Sequence, residues 1–137
     1  MKITLITPAK KHSKTGNRTS ALRWARFLRE LGHSVGVESL YTRANTDLMI
    51  ALHAWRSADS ITSYRSQFPK GPLIVALGGT DINTFLKTNP VTTMQSMALA
   101  DILIGLHDRI EDNLPQRFHS KLHIIKQSAS PLLAPRL

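Results

Sequence analysis

Cysteine is absent from this sequence, and its absence excludes thiol catalysis, disulfide bonds and cysteine-based zinc sites. A chain without disulfides fits a reducing compartment, so we expect a cytoplasmic location. No apolar run approaches the ~20 residues of a membrane-spanning helix, which predicts no membrane span. The N-terminus is short and strand-like, which predicts no signal peptide.

Acidic and aromatic residues are also scarce: 9 Asp+Glu stand against 18 Lys+Arg, and the chain has 2 Trp, 2 Tyr and 4 Phe. No acid precedes Glu30, whereas Lys and Arg recur throughout that first stretch. The net charge of +9 therefore favours an anionic partner, either a phosphorylated small molecule or nucleic acid. The alternative is a basic surface without such a partner. The few aromatics and the lack of a nucleic-acid-binding motif make nucleic acid the less favoured partner.

Strand and helix patterns alternate along the chain. We predict strands over residues 2–7, 33–38, 48–52, 72–77, 102–104 and 122–125. Helices are predicted over residues 19–31, 57–68 and 92–100, with a short helix near residue 85 that is broken at Asn89-Pro90 and another over 108–113. The alternation predicts an α/β fold: a Rossmann-like open parallel sheet of five to six strands with helices on both faces. Residues 1–130 form this domain, and residues 131–137 are a tail or the start of a linker.

The first predicted helix has one apolar face, and glycine follows it. Gly32 ends the helix because glycine adopts the left-handed cap conformation without steric cost. The apolar face consists of Ala21, Trp24, Ala25, Leu28 and Leu31.

Three polar turns each follow a predicted strand. Because the carboxyl ends of parallel strands share one edge of the sheet, we expect these turns to form a common ligand site. They are Gly16-Asn17-Arg18-Thr19-Ser20-Ala21, Leu52-His53-Ala54-Trp55-Arg56-Ser57-Ala58 and Leu77-Gly78-Gly79-Thr80-Asp81.

The first turn is suited to an anion. Gly16 lets the backbone approach a ligand closely, and Thr19 or Ser20 can cap the helix. Free backbone amides at the helix start, with the charge of Arg18, attract negative groups. The spacing matches neither the dinucleotide fingerprint nor the P-loop. The alternative is a tight turn at Gly16-Asn17 followed by an ordinary cap.

The second turn carries His53 and Arg56. An imidazole at the end of a strand can act as a general base or donate a hydrogen bond to an anion. Arg56, three residues later, can clamp a phosphate through two parallel hydrogen bonds. The alternative for His53 is a packed histidine bonded to a backbone carbonyl.

The third turn offers amides and a carboxylate. Gly78 and Gly79 expose backbone amides, and Asp81 can accept hydrogen bonds from sugar hydroxyls or cap the next helix. No metal site is predicted. His119 and His123 are four residues apart, but His123 lies on a predicted strand and no third ligand is evident.

Several motifs along the chain match one known family. They are Ile6-Thr7-Pro8-Ala9, Gly16-Asn17 with Thr19 and Ala21, Ala21-Leu22-Arg23-Trp24-Ala25-Arg26, Leu31-Gly32-His33, Leu52-His53-Ala54 with Arg56-Ser57-Ala58-Asp59-Ser60-Ile61, Gly79-Thr80-Asp81, and Gln127-Ser128-Ala129. By these motifs the chain resembles the N-terminal half of two-domain GT-B glycosyltransferases of the family-4 type, and more narrowly the selenosugar synthases of selenoneine biosynthesis. One departure is Gly78, where the family usually has threonine.

This resemblance implies transfer of a sugar from a nucleotide-sugar to selenophosphate or another phosphate-type acceptor, with this chain forming the acceptor side. It implies catalytic roles for His53, Arg56 and Asp81, and no cofactor. The substrate-binding residues that it implies are Gly16, Asn17, Arg18, Thr19, Gly79, Thr80, Gln127 and Ser128.

The donor side belongs to a second domain in these enzymes, and this sequence does not contain one. We therefore expect the chain alone to be inactive unless a second GT-B domain or a homodimer supplies that side. The main alternative is a non-catalytic anion- or nucleic-acid-binding Rossmann-like module. A further one is an inactive relic that dimerises through its exposed inter-domain face.

Overall fold

The computed structural model describes residues 1–7, 16–42, 46–77, 86–105, 112 and 114–125, and of residues 16–20 it describes the backbone alone. Six parallel strands form one sheet in the order β2-β1-β3-β4-β5-β6. The strands are β1 (Lys2–Ile6), β2 (Ser34–Glu38), β3 (Leu48–Leu52), β4 (Leu73–Leu77), β5 (Ile102–Gly105) and β6 (Leu122–Ile124). The helices are α1 (Gly16–Glu30), α2 (Ala58–Gln67), α3 (Leu86–Thr88) and α4 (Pro90–Leu99), with a 3₁₀ helix at Gln116–Lys121. The predicted α/β fold is confirmed.

Helices cover both faces of the sheet. Ile3 and Leu5 of β1 pack with Ala21 and Ala25 of α1 in one cluster. The other cluster joins β-strand side chains to α2 and α4 on the opposite face. The central strand β3 contributes to both clusters, which explains why it is apolar at every position.

Gly32 ends α1, as predicted. It has φ of +98°, and its amide donates to the carbonyl of Arg29 at 3.0 Å. The amide of His33 donates to the carbonyl of Leu28 at 3.1 Å, which completes a Schellman motif. Leu31 was expected on the buried face, but it follows the last helical residue and is 73% exposed.

Two helix starts differ from the prediction by two residues or more, and one short helix was not predicted. Helix α1 begins at Gly16 rather than at residue 19, so Gly16 lies in the helix instead of a preceding turn. Helix α4 begins at Pro90, where a break was predicted, because proline is well suited to the first helical position. The 3₁₀ helix before β6 was not predicted, since so short an element has no apolar period.

Arg65 of α2 ties together the amino-terminal edge of the sheet. Its guanidinium donates to the carbonyls of residues in two separate crossovers and pairs with Asp101 at 3.1 Å. The Asp101 carboxylate also accepts the amide of Leu73, at 2.9 Å. The carbonyls are those of Phe68, Pro69, Gly71 and Leu99, at 3.2, 2.9, 2.9 and 2.8 Å.

Lys121 fastens the end of α4 to the start of β6. Its ammonium donates to the carbonyls of Met97, Ala98 and Ala100 at 3.1, 3.2 and 2.7 Å. These are carbonyls that a helix end leaves without intrahelical partners. Within the described part of the chain, no helix is long and apolar enough to cross a membrane.

Candidate functional site

The order of the strands places a topological switch point at the carboxyl edge, and open α/β sheets have a crevice outside such a point. The chain leaves β1 toward β2 on one side of the sheet and later returns to β3 on the other side. Helix α1 follows β1 on one face, and α2 follows β3 on the opposite face. Ligands of open α/β sheets bind at such switch points, outside the carboxyl ends of the two strands. The register pairs Ile6 with Ala51, so Thr7 and His53 lie at this point.

His53 turns the chain sharply after β3. It is 2% exposed and has φ of +75°, a left-handed conformation that costs a non-glycine residue on the order of 1–3 kcal/mol. Two backbone hydrogen bonds hold it there. Its amide donates to the carbonyl of Ala76 at 2.8 Å, and its carbonyl accepts the amide of Ser57 at 3.0 Å. Backbone strain of this kind is concentrated at functional sites.

The imidazole of His53 is oriented by the next turn. Its Nδ1 atom accepts the backbone amide of Arg56 at 3.1 Å. Nδ1 is therefore the acceptor nitrogen, and in the neutral ring Nε2 carries the hydrogen. The sequence left open a base or a donor, and this tautomer makes Nε2 a hydrogen-bond donor. The burial of His53 agrees with the alternative of a packed histidine, but the partner of Nδ1 is an amide and not a carbonyl.

Ser57 stabilises the same turn through hydrogen bonds to its two ends. Its hydroxyl donates to the carbonyl of Leu52 at 2.6 Å, and its own carbonyl accepts the amide of Ile61 at 2.9 Å. The side chain is buried, so its role is structural. It holds the end of β3 and the start of α2 in a fixed relation, which positions His53.

Arg56 is exposed in the turn that joins β3 to α2. Its side chain forms no ion pair with any residue that the structure describes. A guanidinium at a ligand-binding edge without an acidic partner can hold a phosphate. The first turn of α2 contains Asp59, whereas the first turn of α1 contains no acid, so an anion is favoured on the α1 side of the crevice.

Four predicted binding residues, Gly16, Asn17, Arg18 and Thr19, form the first turn of α1. The prediction that Thr19 or Ser20 caps the helix is wrong, because both lie within it. The first four amides of a helix have no intrahelical acceptor. Because of the earlier start, the amides without an acceptor inside the helix belong to these same four residues, and such amides can bind an anion.

The other predicted residues lie outside the part of the chain that the structure describes. They remain predictions: Gly79, Thr80, Asp81, Gln127 and Ser128.

Sequence reasoning missed Thr7. This residue directly follows β1, is fully buried, and donates its amide to the carbonyl of Glu38 at 2.9 Å. Its hydroxyl has no hydrogen-bond partner among the described residues. A polar residue at the end of the first strand was visible in the sequence, but its burial depends on the tertiary packing of α1.

Among the described residues, no group of three or more His, Asp or Glu side chains is arranged to hold a metal ion. His119 contacts the carbonyl of Leu114 through Nε2, at 2.9 Å.

No protein-family model matches the chain, and no curated protein matches it.

Proposed function

We propose that this chain is the acceptor-side half of a glycosyltransferase that transfers a sugar from a nucleotide-sugar to a phosphate- or selenophosphate-type acceptor. One observation carries the proposal: a buried, left-handed His53 at the switch point, with Nδ1 bonded to the amide of Arg56. This turn lies at the carboxyl edge, where open α/β sheets bind ligands, and it pairs the histidine with an exposed arginine.

The acceptor anion is held by three kinds of donor. The free amides of α1 supply the positive end of the helix dipole. The guanidinium of Arg56 supplies a full charge, and Nε2–H of His53 supplies a neutral hydrogen bond. Arg18, in the first turn of α1, adds positive charge to that end of the helix.

The proposed reaction fits a histidine that donates a hydrogen bond better than a histidine that accepts a proton. In sugar transfer the acceptor atom forms a bond to the anomeric carbon, and the bond to the nucleotide diphosphate breaks with its electron pair leaving on oxygen. A selenium or oxygen nucleophile that is already anionic needs no base to remove a proton. His53 then orients the anion and does not take a proton from it, as the occupied Nδ1 favours.

The test measures anion binding in matched variants. The 137-residue chain is titrated with inorganic phosphate and with selenophosphate by calorimetry. Arg56→Gln weakens binding about tenfold or more, because a charged hydrogen bond contributes on the order of 1.5–3 kcal/mol. Lys70→Gln removes the same charge from the turn that precedes β4 and leaves the affinity unchanged. Equal affinities for all three proteins would overturn the proposal.

Two further measurements separate the proposed function from the alternatives. The chain supplied with nucleotide-sugars and acceptor gives no transfer, because the proposal assigns the donor site to another domain. Turnover by the chain alone contradicts that part of the proposal. Titration with DNA or RNA at two salt concentrations tests the nucleic-acid alternative. Tight binding with a steep salt dependence favours that module instead.

A further inference from the structure

The hydroxyl of Thr7 is a buried polar group without a partner. The residue is fully buried, and Oγ1 makes no hydrogen bond with any described residue. Native proteins satisfy nearly all such groups, and an isolated one destabilises the fold. A buried unsatisfied hydroxyl therefore calls for a functional explanation.

The register of β1 shows which way this hydroxyl faces. Side chains alternate along a strand, so Thr7 is on the same face as Ile3 and Leu5. Those two residues pack against Ala21 and Ala25 of α1. The amide of Thr7 continues the hydrogen-bonding ladder to β2, so the alternation extends to this position.

Helix α1 begins above the same end of the strand. It returns antiparallel to β1, as the helix of a right-handed crossover does, so its first turn lies over the carboxyl end of β1. Thr7 follows Leu5 as the next residue on this face, so it lies at the end of the strand where α1 begins. The unpartnered hydroxyl and the first-turn amides of α1 therefore lie on the same face of the sheet and at the same edge.

We propose that the Thr7 hydroxyl is a ligand for the acceptor oxyanion and donates a hydrogen bond to an oxygen held by the α1 amides. This inference rests on the proposed function and adds a residue that the sequence did not assign. An anionic oxygen supplies the acceptor that the described structure lacks. Because the hydroxyl is fully buried, the oxygen reaches it through local opening of the crevice.

The proposal predicts opposite effects on stability and on binding. Thr7→Val has nearly the same shape but no hydroxyl. Without phosphate it melts at a higher temperature than the parent chain, because an unsatisfied polar group has been removed. Its affinity for inorganic phosphate falls about tenfold, and it gains less thermal stabilisation from saturating phosphate.

Two control variants accompany it. Thr7→Ser keeps the hydroxyl and binds phosphate within about twofold of the parent chain. Thr4→Val makes the same exchange on the opposite face of β1, where Thr4 is half-buried, and leaves phosphate affinity unchanged. Melting curves and calorimetric titrations are recorded for all four proteins with inorganic phosphate as the probe.

Each outcome decides the question. If Thr7→Val binds phosphate like the parent chain, the inference is overturned, including the case in which only an interior water meets the hydroxyl. If Thr7→Val and Thr7→Ser lose affinity equally, the effect is one of packing, and the inference is also overturned. Loss in Arg56→Gln but not in Thr7→Val overturns the inference and keeps the proposed function. Loss in neither variant overturns both.

Discussion

The left-handed backbone of His53 can be tested by comparing His53→Gly with His53→Ala. At most positions glycine is less stable than alanine by about 0.4–1 kcal/mol, because glycine gains more freedom in the unfolded chain. At φ of +75° alanine keeps a steric cost of about 1–2 kcal/mol that glycine does not have. The difference predicts that His53→Gly is more stable than His53→Ala by about 0.5–1 kcal/mol, the reverse of the usual order.

Both variants are less stable than the parent chain. Each loses the acceptor for the amide of Arg56 and leaves space where a buried ring was. Together these losses amount to roughly 3 kcal/mol. His53→Asn is less affected, because asparagine tolerates the left-handed region and offers a side-chain oxygen.

The assay is equilibrium unfolding in urea, followed by tryptophan fluorescence. Trp55 is half-buried two residues from the substitution and reports on this turn directly. Gly32→Ala and Gly36→Ala calibrate the scale. Gly32 has φ of +98°, so its alanine variant loses about 1 kcal/mol. Gly36 has open space around a Cβ, so its variant is neutral or slightly stabilised. A His53→Ala protein as stable as His53→Gly refutes the reasoning.

Two other predictions concern the contacts of Tyr64. Gly71→Ala lowers the free energy of unfolding by about 1–3 kcal/mol, because a Cβ there lies 2.6 Å from the Tyr64 hydroxyl and 2.7 Å from Cβ of Phe68. Urea unfolding measures this, and a loss no larger than that of Gly36→Ala contradicts the packing argument. Burial raises the pKa of Tyr64, so the folded state keeps this proton at a pH where the unfolded chain releases it. Its stabilisation is complete below pH 10 and is lost as the pH rises through the folded pKa. Tyr64→Phe loses the bond to the Pro72 carbonyl, about 1 kcal/mol at neutral pH, and this deficit shrinks above pH 10. Thermal melting at several pH values checks it, and a constant deficit contradicts it.

The fold could be predicted because local patterns agreed with the packing. Strand β3 matched its predicted limits, since an apolar run on both faces belongs in the middle of a covered sheet. Gly32 ended α1 for the reason given by its sequence position. The starts of α1 and α4 were missed because Gly16 and Pro90 both read as breaks, although helices accept each in the first turn.

The site was only partly predictable. His53 and Arg56 were predicted from residue type and position, but the left-handed backbone of His53 depends on the Ala76 carbonyl of a neighbouring strand. Thr7 was missed because its burial and its lack of a partner arise from α1 packing over the sheet. Local sequence carries no signal for the hydrogen bond of His53 to Ala76 or for the buried hydroxyl of Thr7, because both depend on strand order and register.

The side chain of Arg65 has a consequence for how this protein can change. One guanidinium anchors two crossovers at the edge of the sheet opposite the proposed ligand site, and it does so mostly through backbone carbonyls. Those carbonyls persist whatever amino acids occupy their positions. Mutation can therefore change the proposed site toward new ligands while the opposite edge keeps the fold in place.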